Sequence, residues 1–218
     1  MKFINGFWVP DDDHMLVLDL LGPGGAHDVD LFAKVRKYTL DQPKRVFVDV
    51  GANIGRWALH FHEDYDRVFC FEPAYYNLEC LKRNTEHQTN IHLREYGLGI
   101  KKHKASLTVT KPGELACTLA TEDENGDVEI QRLDDQNIPD CDLLKVDVEG
   151  YETEVFKGGE ELIKRCKPLI CVERDGTNYK RLGKRKKESH EYLQSIGYTM
   201  MYKLTRDCIY GIPNIHQT

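Results

Sequence analysis

Three short segments of this 218-residue sequence combine residue types that could do chemistry. The first is Asp49-Val50-Gly51-Ala52-Asn53-Ile54-Gly55, set between an apolar run and a helical pattern. Gly51 lets the chain turn sharply off a strand, and Gly55 lets the next helix approach a ligand or the sheet closely. Such a turn is expected to leave free backbone N–H groups at a helix N-terminus, where open α/β sheets take up ligands. The second is Glu72, which ends the next apolar run and follows Gly51 by 21 residues. A carboxylate there can accept hydrogen bonds from both hydroxyls of a ribose. The third is Lys145-Val146-Asp147-Val148-Glu149-Gly150, with Glu152 beyond it. Side chains alternate along a strand, so Lys145, Asp147 and then Glu149 share one face while Val146 and Val148 take the other. Charges in a covered strand need a partner or a wet crevice. One reading is a buried ion pair between Lys145 and an acid. The other is a catalytic set, in which Asp147 at the strand tip orients or deprotonates a hydroxyl and Glu149 stands on the loop rim.

Spacing narrows the ligand of the first segment. A dinucleotide site of the GxGxxG kind needs glycine where Asn53 stands, and a phosphate loop needs GK followed by Ser or Thr where the chain reads Gly55-Arg56-Trp57. A carboxylate such as Asp49 repels a pyrophosphate and attracts an amine or a sulfonium. S-adenosylmethionine carries both, and it is the cofactor expected here. The histidines offer no ligand spacing: His60 and His62 lie two apart on a helix and cannot face one ion. Asp147, Glu149 and Glu173 form the one acidic set to weigh for a cation, and no metal is expected. Gly22-Pro23-Gly24-Gly25 suits a turn better than a phosphate cradle. Trp8, Trp57, Tyr75 and Tyr76 suit packing, with a cap on a substrate pocket as the other role for Trp8.

The elements that must hold these residues alternate in periodicity. Val46–Val50 is an apolar run fit for a strand covered on both faces. Ile54, Trp57, Ala58 and Phe61 then fall on one helical stripe. Val68–Phe71 is a second strand, and Pro73 opens a helix to about Glu86. Ile91–Tyr96, Asp127–Arg132, Cys141–Val148 and Pro168–Val172 read as further strands, with Ala105–Thr110 in a side hairpin. Tyr151–Arg165 is a helix broken near Gly158–Gly159, Lys184–Ile196 another helix, and Tyr198–Tyr202 with Cys208–Ile212 a closing β pair. Lys111 to Gly126 reads as a surface loop, or alternatively as a lid over the substrate. Residues before Val46 supply a short β segment and a helix near Asp28–Leu40. The rhythm of strand and helix predicts an α/β open sheet with helices on both faces.

Composition bounds the rest. At roughly 150 residues per domain, the length suits one domain with additions, here an extension over 1–44 and a main domain over 45–218. Apolar residues at 40% and charged residues at 30% exclude a largely disordered chain. A net charge of −6 gives no bulk attraction to nucleic acid or anionic membrane. No apolar run is long enough to span a bilayer. The early acids Asp11 to Asp13 interrupt any secretory signal core, and seven cysteines without a CxxC pair suit a reducing cytoplasm. Lys101–Lys104 and Lys180–Lys187 are basic clusters, the second with six cations. Both suit solvated surfaces, although the second could serve an anionic acceptor, a nucleic-acid end included.

FVDVGANIG, then FEP, then DLLKVDVEGYETEVFKGGEELIKRCKPLICVE resembles the FkbM family of S-adenosylmethionine-dependent methyltransferases, over about Arg45 to Glu173. The resemblance implies the class I methyltransferase sheet of about seven strands, Rossmann-like and mostly parallel with an antiparallel last strand. It implies methyl transfer to oxygen, commonly a hydroxyl of a sugar, lipid or small metabolite. By matching positions, Asp49, Gly51, Asn53 and Gly55 would line the methionine end of the cofactor and Glu72 would hold the ribose. Gly97 and Leu98 would lie near the adenine, and Lys145, Asp147 and Glu149 would form the catalytic set, with Asp147 also touching the cofactor. Rival readings are methylation of a nucleic acid or protein, a nicotinamide-dependent dehydrogenase, and an adenosyl-binding module without catalysis.

Overall fold

The computed structural model describes residues 1–22, 25–111, 113–115, 118–173, 176–185 and 187–216. A hairpin of β1 (Lys2–Ile4) and β2 (Phe7–Val9) is followed by α1 (His14–Leu21) and α2 (Gly25–Tyr38). Asp13 caps α1 by accepting the Leu16 amide at 2.9 Å, as helix N-termini require. The core then runs β3 (Val46–Val50), α3 (Arg56–Phe61), β4 (Arg67–Phe71), α4 (Tyr75–Thr85) and β5 (Ile91–Arg94). An inserted segment carries β6 (Gly97–Leu98), β7 (His103–Val109), β8 (Thr118–Glu122) and β9 (Val128–Gln131). The core resumes with β10 (Leu143–Val146), α5 (Glu152–Gly158), α6 (Glu160–Cys166) and β11 (Leu169–Glu173). It ends with α7 (Gly176–Arg181), α8 (Glu188–Ser195), β12 (Thr199–Leu204) and β13 (Asp207–Gly211).

The main sheet has seven strands in the order β12-β13-β11-β10-β3-β4-β5, and within it β13 alone runs against the rest. The chain moves outward from β3 to β5 and then returns to place β10 on the other side of β3. That reversal is a topological switch point, so a crevice opens beyond the carboxyl ends of β3 and β10. One face of the sheet packs Val48, Val50, Leu144 and Val146 against Val155, Phe156 and Leu193 of the helices that follow β10. The other face packs Phe47, Cys70 and Cys171 against Leu31, Val35, Phe61 and Leu81 of the earlier helices. Burial on both faces explains why β3, β10 and β11 read as continuous apolar runs.

Several expectations are corrected. Lys111 to Gly126 is not a loop throughout: Thr118–Glu122 forms β8, pairing antiparallel with β7 and burying Leu119. With β6 and β9 it completes a separate four-stranded sheet, in the order β6-β9-β7-β8. The alternation in TLATE carried this signal, but a single buried position against mostly polar neighbours is weak. Helix α8 starts at Glu188 rather than Lys184. Helix α1 has no counterpart in the periodicity reading, because HMLVLDLL is apolar on several sides; Leu16 and Leu20 are buried while Leu18 and Leu21 are exposed. Trp8 does not cap a pocket; it lies under Arg83 of α4, 4.0 Å from the guanidinium. Cys70, Cys80, Cys141, Cys171 and Cys208 are buried free thiols. Pro23, Gly24, Cys117, Arg174 and Lys186 lie outside the described residues.

Candidate active site

The turn after β3 is built by the neighbouring strand. Gly51 has φ +76°, and a Cβ there would stand 1.8 Å from the backbone oxygen of Asp147. Only glycine lets the ends of β3 and β10 come this close. Four amides of the turn already have acceptors, while the start of α3 at Arg56 has no side-chain cap. Gly51 and Ala52 donate to Phe71 O at 2.9 and 3.1 Å, Asn53 to Glu72 Oε2 at 2.8 Å, and Gly55 to Ala52 O at 2.9 Å. The Gly51–Asn53 part of the turn is thus a wall tied to β4. Gly55 faces Leu81 and Thr85 of α4, so its lack of a side chain serves helix packing and not a ligand.

Glu72 directly follows β4 and is 5% exposed. Its Oε1 accepts the Ala74 amide at 2.9 Å and its Oε2 the Asn53 amide. Burial pushes this carboxyl above the ordinary range, and the two amides oppose that shift. Oε1 also accepts the Asn77 side-chain amide at 3.5 Å, so Oε2 is the oxygen that keeps a second lone pair for a hydroxyl. Nearby, Asn53 Oδ1 and Asn77 Oδ1 are enclosed and accept nothing among the described residues. Buried polar atoms normally have partners, so these two acceptors suit a polar ligand.

The charged row across the sheet follows from register. Lys145 on β10 lies directly beside Asp49 on β3. Its Nζ donates to Gly51 O at 2.6 Å and stands 3.4 Å from Asp49 Oδ1 and 3.6 Å from Asp147 Oδ2. Asp49 is wholly enclosed, and neither oxygen accepts a hydrogen bond of good geometry. Burial raises the Asp49 carboxyl while Lys145 pulls it down. For Lys145, burial alone would lower the ammonium, but Asp49 and Asp147 together outweigh it and leave it raised. Asp147 leaves the strand with its side chain one-third exposed. Glu173 ends β11 beside it and pairs with Arg206 on the β12–β13 hairpin at 2.9 Å. Glu149 adopts φ +54°, a left-handed conformation, and Glu152 Oε1 steadies the bend by accepting the Gly150 amide at 2.8 Å.

One cavity of about 630 Å³ joins these parts. Gly51, Asn53, Glu72, Gly97, Leu98, Lys145, Asp147 and Glu149 all line it, and Asp49 and Gly55 do not. Asp49 sits beneath the floor, so its charge acts through Lys145. The sequence reading places Asp49 beside the cofactor; in the structure it is enclosed and does not line the cavity. Residues missed by the sequence reading come from the additions to the core: Met15 and Asp19 of α1, Leu107 and Ala120 of the small sheet, and Arg206. No spacing rule could link them, because they meet only through tertiary packing. The Lys180–Lys187 cluster is partly neutralised, since Lys184 pairs with Glu154 at 2.8 Å and Arg185 with Glu191 at 2.7 Å. Among the described residues no group of three His, Cys, Asp or Glu side chains is arranged to hold a metal. No described helix is long and apolar enough to cross a membrane.

The strand order, the one reversed strand and a cavity at the switch point define the class I methyltransferase fold. Residues 49–200 match the family model described as the methyltransferase FkbM domain, and the chain belongs to that family. It is 29% identical over 143 residues to "Methyltransferase 1" of Beauveria bassiana (strain ARSEF 2860), covering 51% of this chain and 57% of that one. The chain therefore spans well under two-thirds of that relative's length. The crystal structure of Methyltransferase FkbM from Methylobacillus flagellatus KT aligns with a TM-score of 0.54 at 20% identity, over 78% of this chain and 43% of that one. A putative methyltransferase from Streptococcus mutans, solved in complex with SAH, aligns with a TM-score of 0.50 at 9% identity, over 77% and 87%. At these identities the structures share the fold.

Proposed function

We propose that the protein transfers a methyl group from S-adenosylmethionine to a hydroxyl of a neutral, polyhydroxylated small molecule or glycan. The observation that carries this reading is the single cavity running from Glu72 and Asn53 to Asp147 and Glu149. Its first end suits a nucleoside: Glu72 Oε2 keeps a lone pair for a ribose hydroxyl, Asn53 and Asn77 offer unsatisfied acceptors, and Leu98 adds an apolar wall for a base. When bound, the cofactor supplies a methyl group on a cationic sulfur. Eight Asp or Glu residues and four Lys or Arg residues line the cavity, a balance that favours a cation beside a neutral acceptor and disfavours a phosphorylated one. A related class I methyltransferase fold that holds SAH is consistent with this choice.

The chain's own work is then mostly positional. Asp147 Oδ2, fixed by Lys145, can accept the proton of an incoming hydroxyl and hold the oxygen in line. The wall formed by α1 and the small sheet excludes water, which would otherwise compete as the acceptor. Asp147→Asn should cut methyl transfer at least 100-fold while changing cofactor affinity less than threefold, as expected for a general base worth about 10²–10⁴. The test has two parts. Thermal shift should register stabilisation by SAH and none by NAD, and labelled methyl from the cofactor should enter a sugar and metabolite panel. No shift with SAH would overturn the cofactor reading. A labelled nucleic acid or protein, with no labelled small molecule, would overturn the acceptor.

A further inference from the structure

We infer that Glu173 is a positioning residue that keeps one proton and presents it to Asp147, so that the two carboxyls form a pair carrying a single negative charge. The role in catalysis rests on the reading of Asp147 given above; the proton inventory does not. The geometry is set by the sheet. Val146 of β10 and Val172 of β11 are register partners, so the next residues, Asp147 and Glu173, leave adjacent parallel strands side by side. Both line the cavity. Asp49, Asp147 and Glu173 form a group of three acids around Lys145, which is the one enclosed cation on these strands. Arg206 adds a second cation, but its side chain is 56% exposed and its charge is correspondingly screened.

Every charged group facing the pair among the described residues enters this balance. Asp49 lies on β3, Lys145 on β10, Glu149 on the loop beyond, buried Glu152 at the start of α5, and Arg206 and Asp207 on the β12–β13 hairpin. Like charge from Asp147, then burial, drives Glu173 well above the ordinary carboxylate range, with Asp207 in support and Arg206 opposed. The Arg206 contact does not require an ionised Glu173. Its Nε reaches Oε1, and a carbonyl-type oxygen also accepts that bond, more weakly than a carboxylate would, leaving Oε2 to carry the proton. Asp49 has Lys145 as its nearest charge. Glu173 thus orients Asp147 and leaves the pair able to take up one more proton. When Asp147 takes a proton from an acceptor hydroxyl, the pair passes from one negative charge to none, in step with loss of the cofactor's positive charge.

The test uses the ligand-free protein and needs no acceptor. Infrared difference spectra of wild type minus Glu173→Gln at pH 8 should contain the carbonyl stretch of a protonated carboxyl. In Asp147→Asn that Glu173 band should vanish at lower pH than in wild type, because the like charge is gone. Gln is isosteric with the protonated acid, so E173Q should melt at or above wild type at pH 8. The sign follows from linkage: an acid raised by folding stabilises below its unfolded pKa and loses that contribution as pH rises, so wild type should fall relative to E173Q from pH 5 to 8. No band in wild type, or a band kept in E173Q and lost in Asp49→Asn, would overturn the assignment. Loss of thermal stability in E173Q at pH 8 would do so as well. None of these outcomes depends on methyl transfer, so failure here and failure of the proposed activity are separable.

Discussion

Replacing Lys145 with Met should strand an acid that cannot reach water. Asp49 is 0% exposed, and Lys145 Nζ at 3.4 Å is the cation it faces. Without that cation Asp49 must fold in its protonated form. Taking up a proton above the unfolded aspartate pKa of about 3.9 costs about 1.4 kcal/mol per pH unit. Because burial already raises Asp49 in the wild type, the deficit from this source is at most about 1.5 kcal/mol at pH 5 and at most about 4 kcal/mol at pH 7. Loss of the hydrogen bond from Lys145 to Gly51 O adds about 1 kcal/mol at any pH. Asp147 contributes little, because it is one-third exposed and can rehydrate. The direction is fixed: an acid whose folded pKa is raised stabilises at low pH and loses that contribution as pH rises. Urea unfolding of wild type, K145M and the double variant K145M/D49N at pH 5, 6 and 7 reads this out. The K145M deficit should grow across the series, and the double variant should flatten it. A deficit independent of pH, or one that D49N leaves unchanged, would refute the argument that Lys145 serves to keep Asp49 ionised.

Two further variants separate packing from ligand binding. Gly51→Ala should cost more than about 3 kcal/mol, since its Cβ would meet the Asp147 backbone oxygen at 1.8 Å where β3 and β10 end side by side. Gly55→Ala should cost about 1–2 kcal/mol, because the nearest atom, Leu81 Cδ1 at 2.8 Å, ends a flexible side chain; equal denaturation midpoints would contradict the distinction. Glu72→Gln puts an amide nitrogen against either the Asn53 or the Ala74 amide, costing about 1–3 kcal/mol of stability. It should also weaken SAH binding more than tenfold by calorimetry, and unchanged affinity would remove Glu72 from the ribose site.

The parts of the site that lie on one strand or one turn were legible in the sequence. Alternation placed Lys145 and Asp147 on one face, and their 3.6 Å separation agrees. The two glycines of DVGANIG marked a tight turn, yet their separate tasks were not readable: one admits the backbone of β10 and the other admits α4. The depth of Asp49 was missed for a related reason. Sequence puts an acid next to a turn, but only the register of β3 against β10 decides whether it faces the crevice or the neighbouring strand. The turn amides illustrate a general limit. A glycine-rich turn at a helix start reads as a set of free donors, and only the position of β4 reveals that Phe71 O and Glu72 already take three of them. The lining from α1 and the small sheet was illegible because those segments are far apart in the chain and lack strong periodicity.

The enclosed Lys145 is therefore better explained by position than by stability. A buried ion pair often contributes no more than an apolar pair of the same volume, and Leu or Met would fill the space between β3 and β10. Such a residue could not hold Gly51 O at 2.6 Å while standing 3.4 Å from Asp49 and 3.6 Å from Asp147. One ammonium thus ties the turn after β3 to Asp147 at the tip of β10, both of which line the cavity. Movement of either strand tip stretches both contacts, so the two ends of the cavity keep a constant separation. In-line transfer between two bound molecules depends on that separation. Asp49 then has a role without touching a ligand: it cancels the charge of the ammonium where water cannot, and so lets a cation remain in the middle of a covered sheet.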